Sequence, residues 1–105
     1  MRTAVINREM QLLGLSPRHK GFYFLGKIVS AMDGIPDDKL RETYSSVCAG
    51  FEHGRRISDK CMYYAVGYAW DIANGRIHEL FPGRSDVPSP MELAVALHWE
   101  LEKRN

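Results

Sequence analysis

VCAGFEHGRRISDKCMYYAVGYAW, running from Val47 to Trp70, reads as the end of one helix, a tight turn and a longer second helix. The turn falls on Phe51-Glu52-His53-Gly54, where Gly54 tolerates a backbone conformation that other residues avoid. Beyond it, Ile57, Cys61, Tyr64, Ala65, Tyr68 and Ala69 recur at helical spacing and are expected to face inward. The opposite face then shows Arg56, Asp59, Lys60 and Tyr63, with Arg55 and Ser58 flanking it near the start. Two helices joined by a tight turn, the second opening on bases, match the layout of a helix-turn-helix. In that layout the first helix braces the nucleic-acid backbone and the second presents its first turns to base edges. Arg55, Arg56 and Lys60 have the chemistry to meet guanine edges or phosphates, and Ser58 to donate to phosphate. Asp59 can accept from a cytosine amino group, and Tyr63 can stack, meet a sugar or touch a thymine methyl.

Outward from this stretch the pattern stays helical. Towards the N-terminus, AVINREMQLL offers Val5, Met10, Leu12 and Leu13 as loosely helical apolar positions before Gly14. Ser16-Pro17 has the form of a helix start, with Ser16 as cap and Pro17 at the first helical position. Phe22, Leu25, Ile28 and Val29 follow at helical spacing, widened by Phe24 and Met32, and Gly34-Ile35-Pro36 closes the segment. Asp37 is placed to cap a third helix carrying Leu40, Tyr44, Val47, Cys48 and Phe51. The helix after the turn is expected to stop near Asn74-Gly75, and Arg76 to Phe81 allows one or two further turns. Pro82 to Pro88 reads as a surface loop. Ser89-Pro90-Met91-Glu92 then combines a cap, a first-turn proline and a capping-box glutamate ahead of Leu93, Leu97 and Leu101. No segment alternates with a strand's period of two over a useful length. The expectation is an all-α domain, a compact bundle of about six helices containing the helix-turn-helix.

With 105 residues, 45% of them hydrophobic, the chain suits one domain over residues 1–105 with a core that needs no metal or disulfide. No apolar run approaches the roughly 20 residues needed to cross a bilayer, and Met1 opens no signal-like leader. Cys48 and Cys61 are accordingly read as buried, reduced thiols of a cytoplasmic protein. Fourteen bases against thirteen acids leave a formal charge of +1, no general attraction to polyanions. The distribution is less even. Arg18, Lys20 and Lys27 are the only charges between Met10 and Met32, whereas acids gather at Asp33, Asp37, Asp38 and Glu42 and along Glu92, Glu100 and Glu102. Catalysis and metal binding find no support. His19, His53, His78 and His98 show no four-residue pair, and Cys48 and Cys61 lack the second close pair of a zinc site. Trp70, Trp99 and the tyrosines read as core. No metal, cofactor or small-molecule substrate is expected.

Three blocks of this sequence resemble the C-terminal effector domain of the master sporulation response regulator of endospore-forming Firmicutes. Leu13-Gly14-Leu15-Ser16-Pro17-Arg18-His19-Lys20-Gly21-Phe22-Tyr23-Phe24-Leu25 is similar to the family's segment of the form IGVPAHIKGYQYL, including its Lys-Gly-aromatic core. Phe51 to Trp70 runs without gaps against the family's helix-turn-helix and keeps Phe51, Ala65, Ala69 and Trp70. Pro88-Ser89-Pro90-Met91-Glu92-Leu93 resembles the family's Pro-Thr-Asn-Ser-Glu-Phe at the start of its last helix. The resemblance implies a six-helix domain that regulates transcription and binds the major groove of double-stranded DNA as tandem head-to-tail copies. By position, the family's recognition-helix acid, the arginine after it and a later arginine fall on Asp59, Lys60 and Tyr63. Tyr63 breaks the pattern, since an aromatic cannot donate in a guanidinium's fork. Ile57 also replaces an arginine, while Arg55 and Arg56 supply bases where the family has none. Family members carry a phosphorylatable receiver ahead of the effector, and this chain opens at Met1 almost where the effector begins. The expectation is therefore an effector-like domain without a receiver, either excised or stand-alone.

The resulting functional expectation is a DNA-binding transcription regulator. Its DNA-facing residues are Arg55, Arg56, Ser58, Asp59, Lys60 and Tyr63, with Arg18 and Lys20 as backbone clamps and a homodimer on tandem sites as a further partner. The alternative is a protein-interaction module that kept the fold and lost DNA, suggested by the near-neutral charge, Tyr63 and the aromatic fourth helix.

Overall fold

The chain is helical wherever turn formers do not interrupt it. The computed structural model describes residues 2–52, 54–73 and 75–104, and in them six α-helices and no β-strand. They are α1 (Arg2–Leu13), α2 (Lys20–Ala31), α3 (Leu40–Ala49), α4 (Gly54–Tyr68), α5 (Ile77–Leu80) and α6 (Pro90–Lys103). A 3-10 turn, Asp37–Lys39, leads into α3, and a π turn, Ala69–Ala73, continues α4. His53 and Asn74, which the sequence places in the turn before α4 and at its end, lie outside the described residues.

The helices close round one core. Ile6, Met10 and Leu13 of α1, Phe22, Leu25, Ile28 and Val29 of α2, and Leu93, Leu97 and Leu101 of α6 are all buried in it. On α1 the buried stripe turns on Ile6, while Val5 and Leu12, expected inside, are exposed. The capping box that opens α6 is complete: the Glu92 amide donates to Ser89 Oγ at 3.1 Å, and the Ser89 amide donates to Glu92 Oε1 at 2.9 Å. Arg84 reaches back from the 82–88 loop to both oxygens of Glu92, pinning that loop to the helix it precedes.

Two expected helix starts fall elsewhere. Ser16-Pro17 does not open α2. The His19 amide donates to the Ser16 carbonyl at 3.0 Å, so Ser16 to His19 form a turn with proline at its second position. A Ser-Pro pair suits a turn as well as a helix start, because proline's fixed φ serves both. Asp37 does not cap α3 either; its carboxylate accepts a bond from Trp99 Nε1 at 3.0 Å, tying the 3-10 turn to α6.

Most of the site's support comes from α2 against α4. At their crossing the helices meet almost backbone to backbone, and a Cβ built on Gly21 would stand 2.3 Å from the Cys61 carbonyl oxygen. At one end His19 meets Tyr64 and Tyr68 edge-on, each pair of ring centroids 4.9 Å apart. At the other, Phe24 packs on Phe51 in the turn before α4, at 4.6 Å. These contacts run α2 antiparallel to α4 and fix how α4 is rotated about its own axis.

Candidate nucleic-acid interface

Gly54 opens α4 at φ +76°, a left-handed value that glycine adopts without strain, and its amide donates to the Phe51 carbonyl at 2.9 Å. From there α4 is rotated by about one residue from the expected phase. Its buried face is Ser58, Met62, Ala65, Val66 and Ala69. Ile57, expected inside, is 51% exposed, and Cys61 and Tyr68 are only half-buried. Met62 and Val66, an i, i+4 pair, carried the correct phase in the sequence. Ser58 disguised it, being a polar residue in the first buried position.

Ser58 is thereby corrected. It is 0% exposed, and its hydroxyl donates to the Arg55 carbonyl at 3.0 Å. A serine can enter a helical core this way because it satisfies itself on its own preceding turn. It has no access to a phosphate.

The outward face carries Arg56, Ile57, Lys60, Tyr63 and Tyr64, all exposed. Tyr64 at 64% and Ile57 are the two that the sequence reading missed. On α2, which packs against α4, Lys20, Tyr23 and Lys27 are exposed, and Arg18 is exposed in the turn leading into it. The expectation of a tyrosine core fails here. Tyr44 is buried, but Tyr23, Tyr63 and Tyr64 are exposed, and Trp99 is exposed on α6.

Charge pairing sharpens the picture. Among the described residues, Arg2, Lys39, Arg55, Arg84 and Arg104 have a carboxylate within 4.0 Å. Nine of the fourteen bases have none among these residues, and five of those nine are Arg18, Lys20, Lys27, Arg56 and Lys60. The bases that ion pairs leave unspent therefore concentrate on the α2–α4 side, which a net charge of +1 conceals. The exposed acids Glu52 and Asp71 stand at the two ends of this stretch of chain.

Arg55 and Asp59 behave differently from their neighbours. Arg55 Nε donates to Asp59 Oδ2 at 3.5 Å and its Nη1 to Ser45 Oγ at 3.3 Å, while the Tyr44 hydroxyl donates to Asp59 Oδ1 at 3.3 Å. Burial first, then the neighbouring Cys48 and Asp59, push the Tyr44 hydroxyl well above its ordinary pKa, so it stays a neutral donor. Burial and Asp59 likewise push the Cys48 thiol up, keeping it protonated and poorly nucleophilic. Cys48 and Cys61 are both free thiols.

An apolar groove lies away from this face. It holds about 420 Å³ between α3 and α6 and is lined by Leu40, Phe81, Met91, Val95, Ala96 and Trp99. Its carboxylates are already engaged, Asp37 by Trp99 and Glu92 by Arg84. Among the described residues no three His, Cys, Asp or Glu side chains gather as metal ligands, and no helix is long and apolar enough to cross a membrane.

No protein-family model matches the chain, and the searches of curated proteins and of solved structures found no match. The likeness to the sporulation effector thus stands on the three sequence blocks alone.

Proposed function

We propose that this domain binds double-stranded DNA, with α3 and α4 acting as a helix-turn-helix and the outward face of α4 entering the major groove. The observation that carries the reading is the cluster of unpaired bases and exposed tyrosines on that face: Arg56, Lys60, Tyr63 and Tyr64, flanked by Arg18 and Lys20. Arg56 and Lys60 lie one turn apart and project together, the spacing needed to address neighbouring base pairs or a base and a phosphate. Each bidentate base contact contributes about 1–3 kcal/mol of discrimination. Gly21, inside the Lys-Gly-aromatic block of the resemblance, sits at the tight α2–α4 crossing, so that block has a packing reason. Transcription regulation in the manner of a sporulation effector, on tandem sites, follows as the biological setting of the same proposal. The test is a selection from a random duplex pool, followed by fluorescence anisotropy on the enriched sequence. Enrichment and an affinity that falls steeply with salt are expected. No enrichment, or a flat salt response, overturns the reading.

A second reading is favoured by one observation. Ile57, Tyr63, Tyr64 and Ile72 expose apolar surface along a single helix and its extension, the composition of a protein-docking face. Under it, the chain shows no salt-dependent DNA binding, and Tyr64→Ala abolishes partner capture with folding intact.

A further inference from the structure

We infer that Asp59 is an internal counter-ion that latches Arg55 to α3, so that Arg56 and Lys60, and not Arg55 or Asp59, are the charges this helix presents to DNA. The inference rests on the DNA-binding reading and departs from the expectation that Asp59 accepts from a cytosine amino group. Two side chains, one from each helix, converge on the carboxylate, and a third holds Arg55 in place. Tyr44 of α3 donates to Oδ1 at 3.3 Å, Arg55 donates to Oδ2 at 3.5 Å, and Arg55 is itself held by Ser45 of α3 at 3.3 Å. Asp59 is drawn to the α3 side of the helix, its side chain 30% exposed, whereas Lys60 beside it is open to solvent. A carboxylate held towards α3 by two donors is drawn away from a cytosine amino group on the outward face, and a guanidinium already paired has less net charge to offer a phosphate. The latch also removes a repulsion. An unpaired aspartate on the groove-facing side would oppose the phosphates, and Arg55 cancels it.

The distinguishing experiment is a binding cycle on the full chain with Arg55→Ala and Asp59→Asn. Asparagine keeps an acceptor for Tyr44 and loses the charge that holds Arg55. In the wild-type background Arg55→Ala should change DNA affinity less than twofold. Asp59→Asn should tighten binding to every duplex by a common factor and steepen the slope of log K against log salt by about 0.9, one phosphate's worth. Arg55→Ala added to Asp59→Asn should then remove that gain. A loss of preference at one base pair in Asp59→Asn, or an Arg55→Ala effect as large in wild type as in Asp59→Asn, overturns the inference. A second measurement needs no DNA: the NMR signal of the Arg55 Nε–H. It should exchange with water more slowly than that of Arg56 and lose this protection in Asp59→Asn. Equal exchange for the two arginines in wild type overturns the latch. If wild type binds no duplex, the DNA-binding reading falls, and the NMR arm still decides whether Arg55 is held.

Discussion

Between Gly21 and Cys61 there is no room for one added carbon. A methyl at Gly21 would press on the Cys61 carbonyl at 2.3 Å and on Ala65 Cβ at 2.9 Å, and the first of these is backbone that cannot swing aside. Alanine gains roughly 1 kcal/mol of helix propensity over glycine, so the sign of the substitution depends on which effect wins. Here the clash wins. Gly21→Ala should destabilise the fold by roughly 1–3 kcal/mol in urea denaturation. Gly67→Ala, where a new Cβ meets nothing within 4 Å, should stabilise it by roughly 0.5–1 kcal/mol. Ser58 makes the complementary case. Its hydroxyl is spent on its own helix, so Ser58→Ala should leave DNA affinity and salt slope unchanged by anisotropy. At this scale the sequence was legible for Arg56, Lys60 and Tyr63, which do face outward, and illegible for Ser58 and Ile57. Side-chain polarity was a poor guide there, because a serine that bonds its own backbone carries almost no burial penalty, while an isoleucine on the rim of a helix remains in water.

Helix ends show which local signals override others. The start of α6 was readable because Ser89, Pro90 and Glu92 all require the same geometry, and each serves it. Ser89→Ala should therefore cost about 1 kcal/mol, read as a shift of the denaturation midpoint. The Arg84 guanidinium first, and then the Ser89 amide, hold Glu92 down at about 2 from its usual 4.5. A carboxylate depressed on folding stabilises the native state above its unfolded pKa, and that contribution is lost as pH falls towards the folded value. The margin of wild type over Glu92→Gln, which keeps a capping-box side chain but no charge, should thus be constant above about pH 5 and shrink towards pH 2. Solvent exposure of the pair keeps the margin small, and a margin that grew with acid would contradict the assignment. The starts of α2 and α3 were misread for a related reason. A lone Ser-Pro or a lone Asp satisfies several local geometries, and the choice was made by contacts distant in sequence, such as Trp99 with Asp37.

Across the whole molecule the deciding quantity is where charge remains after pairing. Ion pairs engage Arg2 with Asp33 and Glu102, and Arg104 with Glu9 and Glu100, so the α1–α6 side is largely self-compensated. The α2–α4 side keeps its bases. The sequence hinted at this through the acid-free run from Met10 to Met32, but the pairing of residues as distant as Arg2 and Glu102 is a property of the fold. If that localised field drives binding, equal changes in net charge must have unequal effects. Arg56→Glu with Lys60→Glu should abolish DNA binding at moderate salt. Loss of the two positive contacts should reduce the salt slope by about 1.8, before added repulsion is counted. Arg8→Glu with Lys103→Glu makes the same change in net charge at exposed positions on α1 and α6 that have no ion pair among the described residues. It should leave most of the affinity and the slope in place. Circular dichroism melts must show both variants folded, since none of the four side chains is buried. Equal losses in the two pairs would mean that the whole protein's charge, and not the face of α4, governs the encounter.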